Sequence, residues 1–150
     1  MPYLSINTPL GPVTLFEEEE AIVIAEFGRA PGGDETPLLA LARTQLEAFF
    51  DGQLRYFSLP LKPRGSPFQQ RAWASLGRVP YGETRTYGDI ARALGSTARA
   101  VGGACARNPI PILIPCHRVV GAGGRLTGYS GGEGIETKLA LLRLEGAAIL

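Results

Sequence analysis

The chain's single histidine, His117, directly follows one of its two cysteines, Cys116, at the end of the apolar run Ile112-Leu113-Ile114-Pro115. A cysteine attacks as thiolate. A free thiol, with a pKa of about 8.5, is mostly protonated at neutral pH, so a nucleophilic Cys116 needs a base or a positive charge beside it. His117 is the candidate base. Neighbouring side chains in a regular strand point to opposite faces, so the pair can cooperate only where the backbone bends. Pro115, and Asn108-Pro109-Ile110-Pro111 upstream, favour such a bend by fixing φ and discouraging helix. The alternative is that Cys116 packs as a small hydrophobe and His117 is a satisfied core or surface histidine. On the dipeptide alone that alternative is the stronger.

The elements around this pair begin with a helix start in which Ser66 caps, Pro67 takes the first helical position and Gln69 closes a capping box. Phe68, Ala72, Trp73 and Leu76 form its apolar stripe, with Trp73 in the core. Thr86, with Asp89 three residues on, starts a second helix that runs through Leu94 and stops at Gly95. Ser96 then caps a third over residues 97–106. Two short helices so joined read as a helix-turn-helix whose second member is the recognition helix. Ala98, Ala100, Gly102, Gly103 and Ala104 leave that helix little bulk. Glycine inside a helix costs about 1 kcal/mol against alanine, so Gly102-Gly103 implies close helix packing within the domain or close approach to a nucleic-acid groove. A slim helix poor in hydrogen-bonding side chains reads groove shape and phosphate better than base sequence.

Upstream, strands are expected over residues 3–6, 13–16 and 21–27, joined by Pro9-Leu10-Gly11-Pro12 and by the solvated hairpin tip Glu17 to Glu20. A helix follows over residues 36–50, carried by Leu38, Leu39, Ala42, Leu46, Phe49 and Phe50, with Asp51-Gly52 at its end. Residues 54–61 add a further strand, 28–34 a loop and 61–65 the linker. The expected division is residues 1–62, an N-terminal α/β domain, and 63–150, a mainly helical domain.

The 150 residues suffice for one domain or two small, closely packed ones. Two cysteines give no disulfide framework, and there is no CxxC pair of the kind that binds zinc. Neither a membrane-spanning run nor a signal core is present, so a cytoplasmic, unprocessed chain is expected. The net charge of +1 conceals an asymmetry. Residues 1–61 carry 3 basic and 9 acidic side chains, residues 62–130 carry 10 and 2, and residues 131–150 carry 2 and 3. The basic middle segment is the candidate polyanion-binding part, because neutralised phosphates release counterions and so supply affinity at any sequence. Ordinary solubilising surface is the alternative.

Asn108-Pro109 through Ile114-Pro115-Cys116-His117-Arg118-Val119 closely resembles the active-site signature of the O6-alkylguanine-DNA alkyltransferases, the methylated-DNA-protein-cysteine methyltransferases. The resemblance extends to Pro67-Phe68-Gln69, Val79-Pro80-Tyr81-Gly82-Glu83-Thr84, Thr86-Tyr87, Arg99 to Ala104, Gly128-Tyr129-Ser130-Gly131-Gly132 and Leu141-Leu142 with Glu145-Gly146, covering roughly residues 66–146. It implies an α+β fold: an N-terminal ribonuclease H-like module with a small antiparallel sheet and a helix, and a C-terminal helical domain with the helix-turn-helix.

The resemblance also implies a reaction. A guanine carrying an O6-alkyl group is flipped out of double-stranded DNA, approached through the minor groove, and its alkyl group passes once and irreversibly to Cys116. The thioether resists hydrolysis, so the cysteine is not regenerated. By the same resemblance His117 reaches Cys116 through a water and is oriented by Glu145, Asn108 braces the turn, and Tyr87 donates a proton to the leaving base. Tyr129, Ser130, Val119 and Pro111 would hold the substrate. Arg99 would fill the vacated stack, and Thr86, Tyr87, Ala98 and Gly102 would meet the DNA. Read without the family, Arg99 is equally a phosphate contact or a surface charge, Tyr87 a core residue, the 128–132 loop a glycine-rich turn, and Glu145 a surface or cap residue. Arg118 is expected to be structural and Cys105 to be packing. The scheme needs no cofactor or metal and is that of a monomer; O4-alkylthymine is a second possible lesion. The segment 132–138 is longer than in several relatives, which leaves the pocket's width open. The rivals are a noncatalytic lesion sensor of the alkyltransferase-like type, whose members replace the nucleophile that Cys116 retains, and a thiol hydrolase using Cys116 and His117.

Overall fold

The computed structural model describes residues 1–129 and 131–148. The chain opens as an antiparallel meander of β1 (Tyr3–Ile6), β2 (Val13–Glu18) and β3 (Ala21–Phe27), with Leu4 opposite Leu15 and Leu15 opposite Ala25. The β2–β3 turn is made by Glu19 and Glu20, both exposed and both at positive φ (51° and 60°), the backbone of a two-residue hairpin matched to strand twist. Helix α1 (Pro37–Phe50) packs on β1 and β2. Thr36 caps it by accepting from the Leu39 amide, and Leu39, Ala42, Leu46 and Phe49 are wholly buried beneath it.

The strand expected over residues 54–61 is absent. Leu61 makes one isolated parallel bridge to Ile22, through Ile22 N to Pro60 O (2.8 Å) and Lys62 N to Ile22 O (2.9 Å). Pro60 has no N–H to extend a ladder. The Ser58 amide is instead taken by Gln45 Oε1 on α1, at 2.9 Å.

In the second half, α2 (Pro67–Gly77) begins with the Ser66/Gln69 capping box, and α3 (Tyr87–Leu94) with the reciprocal Thr86/Asp89 pair. Gly95 at φ 64° ends α3, and α4 (Ala98–Ala106) follows. Its cap is Thr97, not Ser96 as expected: Thr97 is extended (φ −114°, ψ 154°) and its hydroxyl accepts from the Ala100 amide at 3.2 Å, while Ser96 belongs to the end of α3, its amide donating to Ala91 O at 2.9 Å. Trp73 on α2 donates its indole N–H to Ala104 O on α4 (2.9 Å), joining the helix-turn-helix to the core. A two-residue parallel pair, β4 (Arg85–Thr86) with β5 (Val119–Val120), ties the start of α3 to the segment after Cys116-His117. The last helix is α5 (Ile135–Leu144). One apolar cluster includes residues of both halves, from Ile6 and Phe49 to Trp73, Val101 and Leu141. Among the described residues no helix is long and apolar enough to cross a membrane.

Candidate active site

The segment between α4 and β5 is a sequence of tight turns. Asn108 straps it across both ends: its amide donates to Ile114 O (2.9 Å) and its carbonyl accepts from Ile110 N (2.9 Å). Between them Ile112 is held at φ 74° and 1% exposed. That conformation is strained for a β-branched residue, at about 1–3 kcal/mol, and persists only when its surroundings over-determine it. Pro115 (φ −81°, ψ 64°) then forms an inverse γ-turn, with Cys116 N donating to Ile114 O at 2.8 Å. Cys116–Arg118 continues as one 3-10 turn. Successive side chains of such a turn splay by about 120°, so neighbours face different surroundings. The N-terminal sheet holds the segment from outside through Ala25 N to Pro109 O, at 2.9 Å.

Cys116 borders a cavity of about 400 Å3, with Tyr87, Gly102, Cys105, Gly128 and Tyr129 among its walls. A larger hollow of about 610 Å3 lies between the β2–β3 turn and the linker, lined by Glu18, Glu19, Lys62 and Arg64, and offers neither thiol nor imidazole. Behind Cys116, His117 is completely buried, with Nε2 2.9 Å from Glu145 Oε2. Arg118 clasps the same carboxylate through Nε (2.8 Å) and Nη2 (2.7 Å), and its Nη1 donates to Val79 O (2.9 Å). Glu145, the C-cap of α5, is therefore neither a surface residue nor a backbone cap through its side chain. Burial alone would raise its pKa, but the hydrogen bonds and charges of His117 and Arg118 outweigh burial and bring it to about 2. Glu145 is thus an acceptor, His117 Nε2 carries the proton, and Nδ1 is a free base. Burial, opposed by Glu145, holds His117 below its ordinary pKa and neutral at pH 7. Its Nδ1 has no hydrogen-bond partner among the described residues.

The thiol itself runs against the expectation of an activated cysteine. Burial pushes Cys116 above its ordinary pKa, while the Asn108 amide and the charge of Lys138 pull the other way without reversing it. Most resting molecules therefore hold a protonated thiol at neutral pH, and reaction requires the proton to be taken up.

Tyr87 opens α3 half-buried, its hydroxyl 3.1 Å from Thr127 Oγ1, and burial raises its pKa, so it stays a proton donor. Tyr129 packs edge-on against Phe27 of β3 (6.3 Å), and its buried hydroxyl has no partner among the described residues. Ser130 lies outside the described residues. Ala98 and Arg99 are exposed on α4, whereas the Thr86 hydroxyl is occupied in capping α3. Val119 is completely buried in β5 and Pro111 half-buried in the turn, and neither borders the cavity. A Cβ built on Gly102 or Gly103 meets nothing within 4 Å, so packing inside the domain does not require these glycines. At Gly131 a Cβ would meet Phe27 Cε2 at 2.4 Å, so β3 presses directly on the loop after Tyr129.

Three participants escaped the sequence reading. Phe27 and Thr127 left no local trace. Lys138 did, as a cation on the buried stripe of α5 with Leu141 and Leu142. Arg118, expected to be structural, also helps His117 keep Glu145 ionised, and its charge lowers the pKa of His117.

The chain matches two family models: "6-O-methylguanine DNA methyltransferase, ribonuclease-like domain" over residues 1–63 and "6-O-methylguanine DNA methyltransferase, DNA binding domain" over residues 67–147. It is 43% identical to a methylated-DNA–protein-cysteine methyltransferase of Methanosarcina acetivorans, covering 98% of this chain and 99% of that one. Its identity to the constitutive methylated-DNA–protein-cysteine methyltransferase of Bacillus subtilis is 45%, over 95% and 94%. Among solved structures, Mycobacterium tuberculosis OGT in complex with DNA superposes with a TM-score of 0.86 at 45% identity, covering 96% of this chain and 92% of the other.

Proposed function

The chain belongs to the 6-O-methylguanine DNA methyltransferase family, and from that premise we infer that it repairs DNA directly, moving an alkyl group from guanine O6 to its own Cys116. The reading rests on one observation: the thiol of Cys116 borders a cavity walled by the recognition helix, Tyr87 and Tyr129, while the neighbouring His117 is bonded to Glu145. A cavity of this volume falls in the range that holds small ligands.

A stacked guanine cannot reach a buried sulfur, so the base is flipped out of the duplex into this cavity. Helix α4 lies in the minor groove, where its bare glycines allow close approach, and Arg99 fills the gap left in the stack. His117 Nδ1 takes the thiol proton through a water, with Glu145 fixing the tautomer and Asn108 fixing the turn. The sulfur attacks the alkyl carbon, the S–C bond forming as the bond from carbon to O6 breaks. Guanine leaves with a proton from Tyr87, and solvent restores both side chains. A thioether does not hydrolyse, so each chain acts once.

In this reading residues 63–150 bind DNA and react, and residues 1–62 brace them through Phe27 and the Ala25–Pro109 hydrogen bond. The protein works as a monomer. Its two free cysteines suit a reducing cytoplasm.

Incubation with duplex DNA containing O6-methylguanine, followed by peptide mass spectrometry, tests the assignment. One methyl per chain on Cys116 is expected, and Cys116→Ser should bind DNA without transferring. Repaired DNA beside an unmodified Cys116 would refute the nucleophile; lesion binding with no adduct would favour a sensor.

A further inference from the structure

Lys138 sits on α5 one turn before Leu141 and Leu142 and shares their burial, with 1% of its surface exposed. An ammonium so placed is unfavourable unless its charge is answered. Among the described residues no carboxylate lies within ion-pair distance of it, and Glu145, the buried carboxylate at the end of the same helix, is already occupied by Arg118 and His117. Nζ lies 5.8 Å from the centre of the Tyr87 ring, a wall of the same cavity that Cys116 borders.

We propose that Lys138 is the counter-charge of the Cys116 sulfur, holding the thiolate that attacks the alkyl carbon. His117 takes the proton; Lys138 stabilises the charge left behind. The proposal rests on the reading of Cys116 as the nucleophile. The titratable groups around this sulfur are Tyr87 on α3, Cys105 on α4 and Tyr129 before α5, with His117 next in the chain. Burial raises Tyr87, lifts Tyr129 well above its ordinary value and pushes Cys105 up to about 12, while it lowers His117. All four are neutral at pH 7. Lys138, though itself lowered by burial, is drawn back up by the two thiols. Of these thiols only Cys116 is favoured by the Asn108 amide. Transfer turns the sulfur into an uncharged thioether, so no thiolate forms beside Lys138 again.

The test is Lys138→Met, which keeps much of the bulk and removes the charge. Carbamidomethylation of Cys116 by iodoacetamide, followed by mass spectrometry across pH 6–10, reads the sulfur directly, beside single-turnover transfer from O6-methylguanine duplex and thermal unfolding. The apparent thiol pKa should rise by about one to two units, with about 10- to 100-fold slower alkylation at pH 7 that recovers in alkali. Lys138→Arg should restore part of the rate. A folded Lys138→Met protein with an unchanged iodoacetamide profile overturns the proposal. Because iodoacetamide needs no DNA, that result is distinct from a failure of Cys116 to accept methyl from guanine. Should Lys138→Met not fold, the Lys138 ε-methylene resonances can be titrated in the native chain and in Cys116→Ser. The lysine should lose its proton at lower pH once the thiol is gone, and superimposable curves would overturn the proposal equally.

Discussion

Glu145→Gln removes one charge and keeps the shape. The native carboxylate accepts from Arg118 Nε and Nη2 and from His117 Nε2, all within 2.9 Å, and its side chain is wholly buried. An amide cannot accept at both ends. At least one donor loses its partner, and the Arg118 guanidinium is left buried with only the Val79 carbonyl certain. Breaking one side of a buried ion pair costs about 3–5 kcal/mol. A separate route gives a similar size: the carboxyl falls from its ordinary 4.5 to about 2, and a gap of roughly 2.5 units corresponds to about 3 kcal/mol at neutral pH. On acidification the unfolded carboxyl takes its proton first, so this stability is whole above pH 4.5 and is lost as the pH falls towards 2. His117 acts in the same direction, because its folded pKa lies below the ordinary 6.5 and the unfolded imidazole protonates first. The native protein should therefore weaken as the pH falls below about 6.5 and again below about 4.5. Glu145→Gln should begin about 3 kcal/mol lower at pH 7, with Tm down by roughly 6–12 °C, and lack the second loss. Urea unfolding followed by Trp73 fluorescence from pH 3 to 8 measures both. A variant as stable as the native chain at pH 7, with the same acid limb, would refute the reasoning.

Gly102→Ala with Gly103→Ala should raise helix stability by about 1 kcal/mol per site, since neither Cβ meets anything, while weakening DNA binding. Thermal unfolding and fluorescence anisotropy with a labelled duplex check this pair of opposite effects, and destabilisation would mean that internal packing needs the glycines. Arg99→Ala, at an exposed position, should slow transfer from duplex DNA at least about 10-fold while leaving reaction with free O6-benzylguanine nearly unchanged. If Arg99 is merely a phosphate contact, the variant will instead bind every duplex more weakly and show a salt slope smaller by about 1.

What the sequence by itself determined was local. The Ser66/Gln69 and Thr86/Asp89 boxes, Pro67 and Gly95 act through neighbours three residues away or through their own φ, so α2 and α3 were legible before any fold. The Cys116-His117 pair and the prolines that bend it were legible for the same reason. Contacts between distant segments were not. The carboxylate that orients His117 lies 28 residues away, and without the family pattern nothing local separates Glu145 from a surface residue. Lys138 was visible only as an anomaly in an apolar stripe, and the Tyr87 ring beside it, 51 residues earlier in the chain, is met only in the folded protein. Pro60 and the side chain of Gln45 removed the strand over 54–61, and the Thr97 hydroxyl, not that of Ser96, meets a free amide in the first turn of α4. The thiol's own state was the least legible: composition cannot say how deeply a cysteine lies, and depth raises the pKa of Cys116 while the Asn108 amide and the charge of Lys138 oppose that rise. Short-range geometry is written in residue type and spacing, whereas protonation and orientation depend on burial and on partners that only the closed chain brings together.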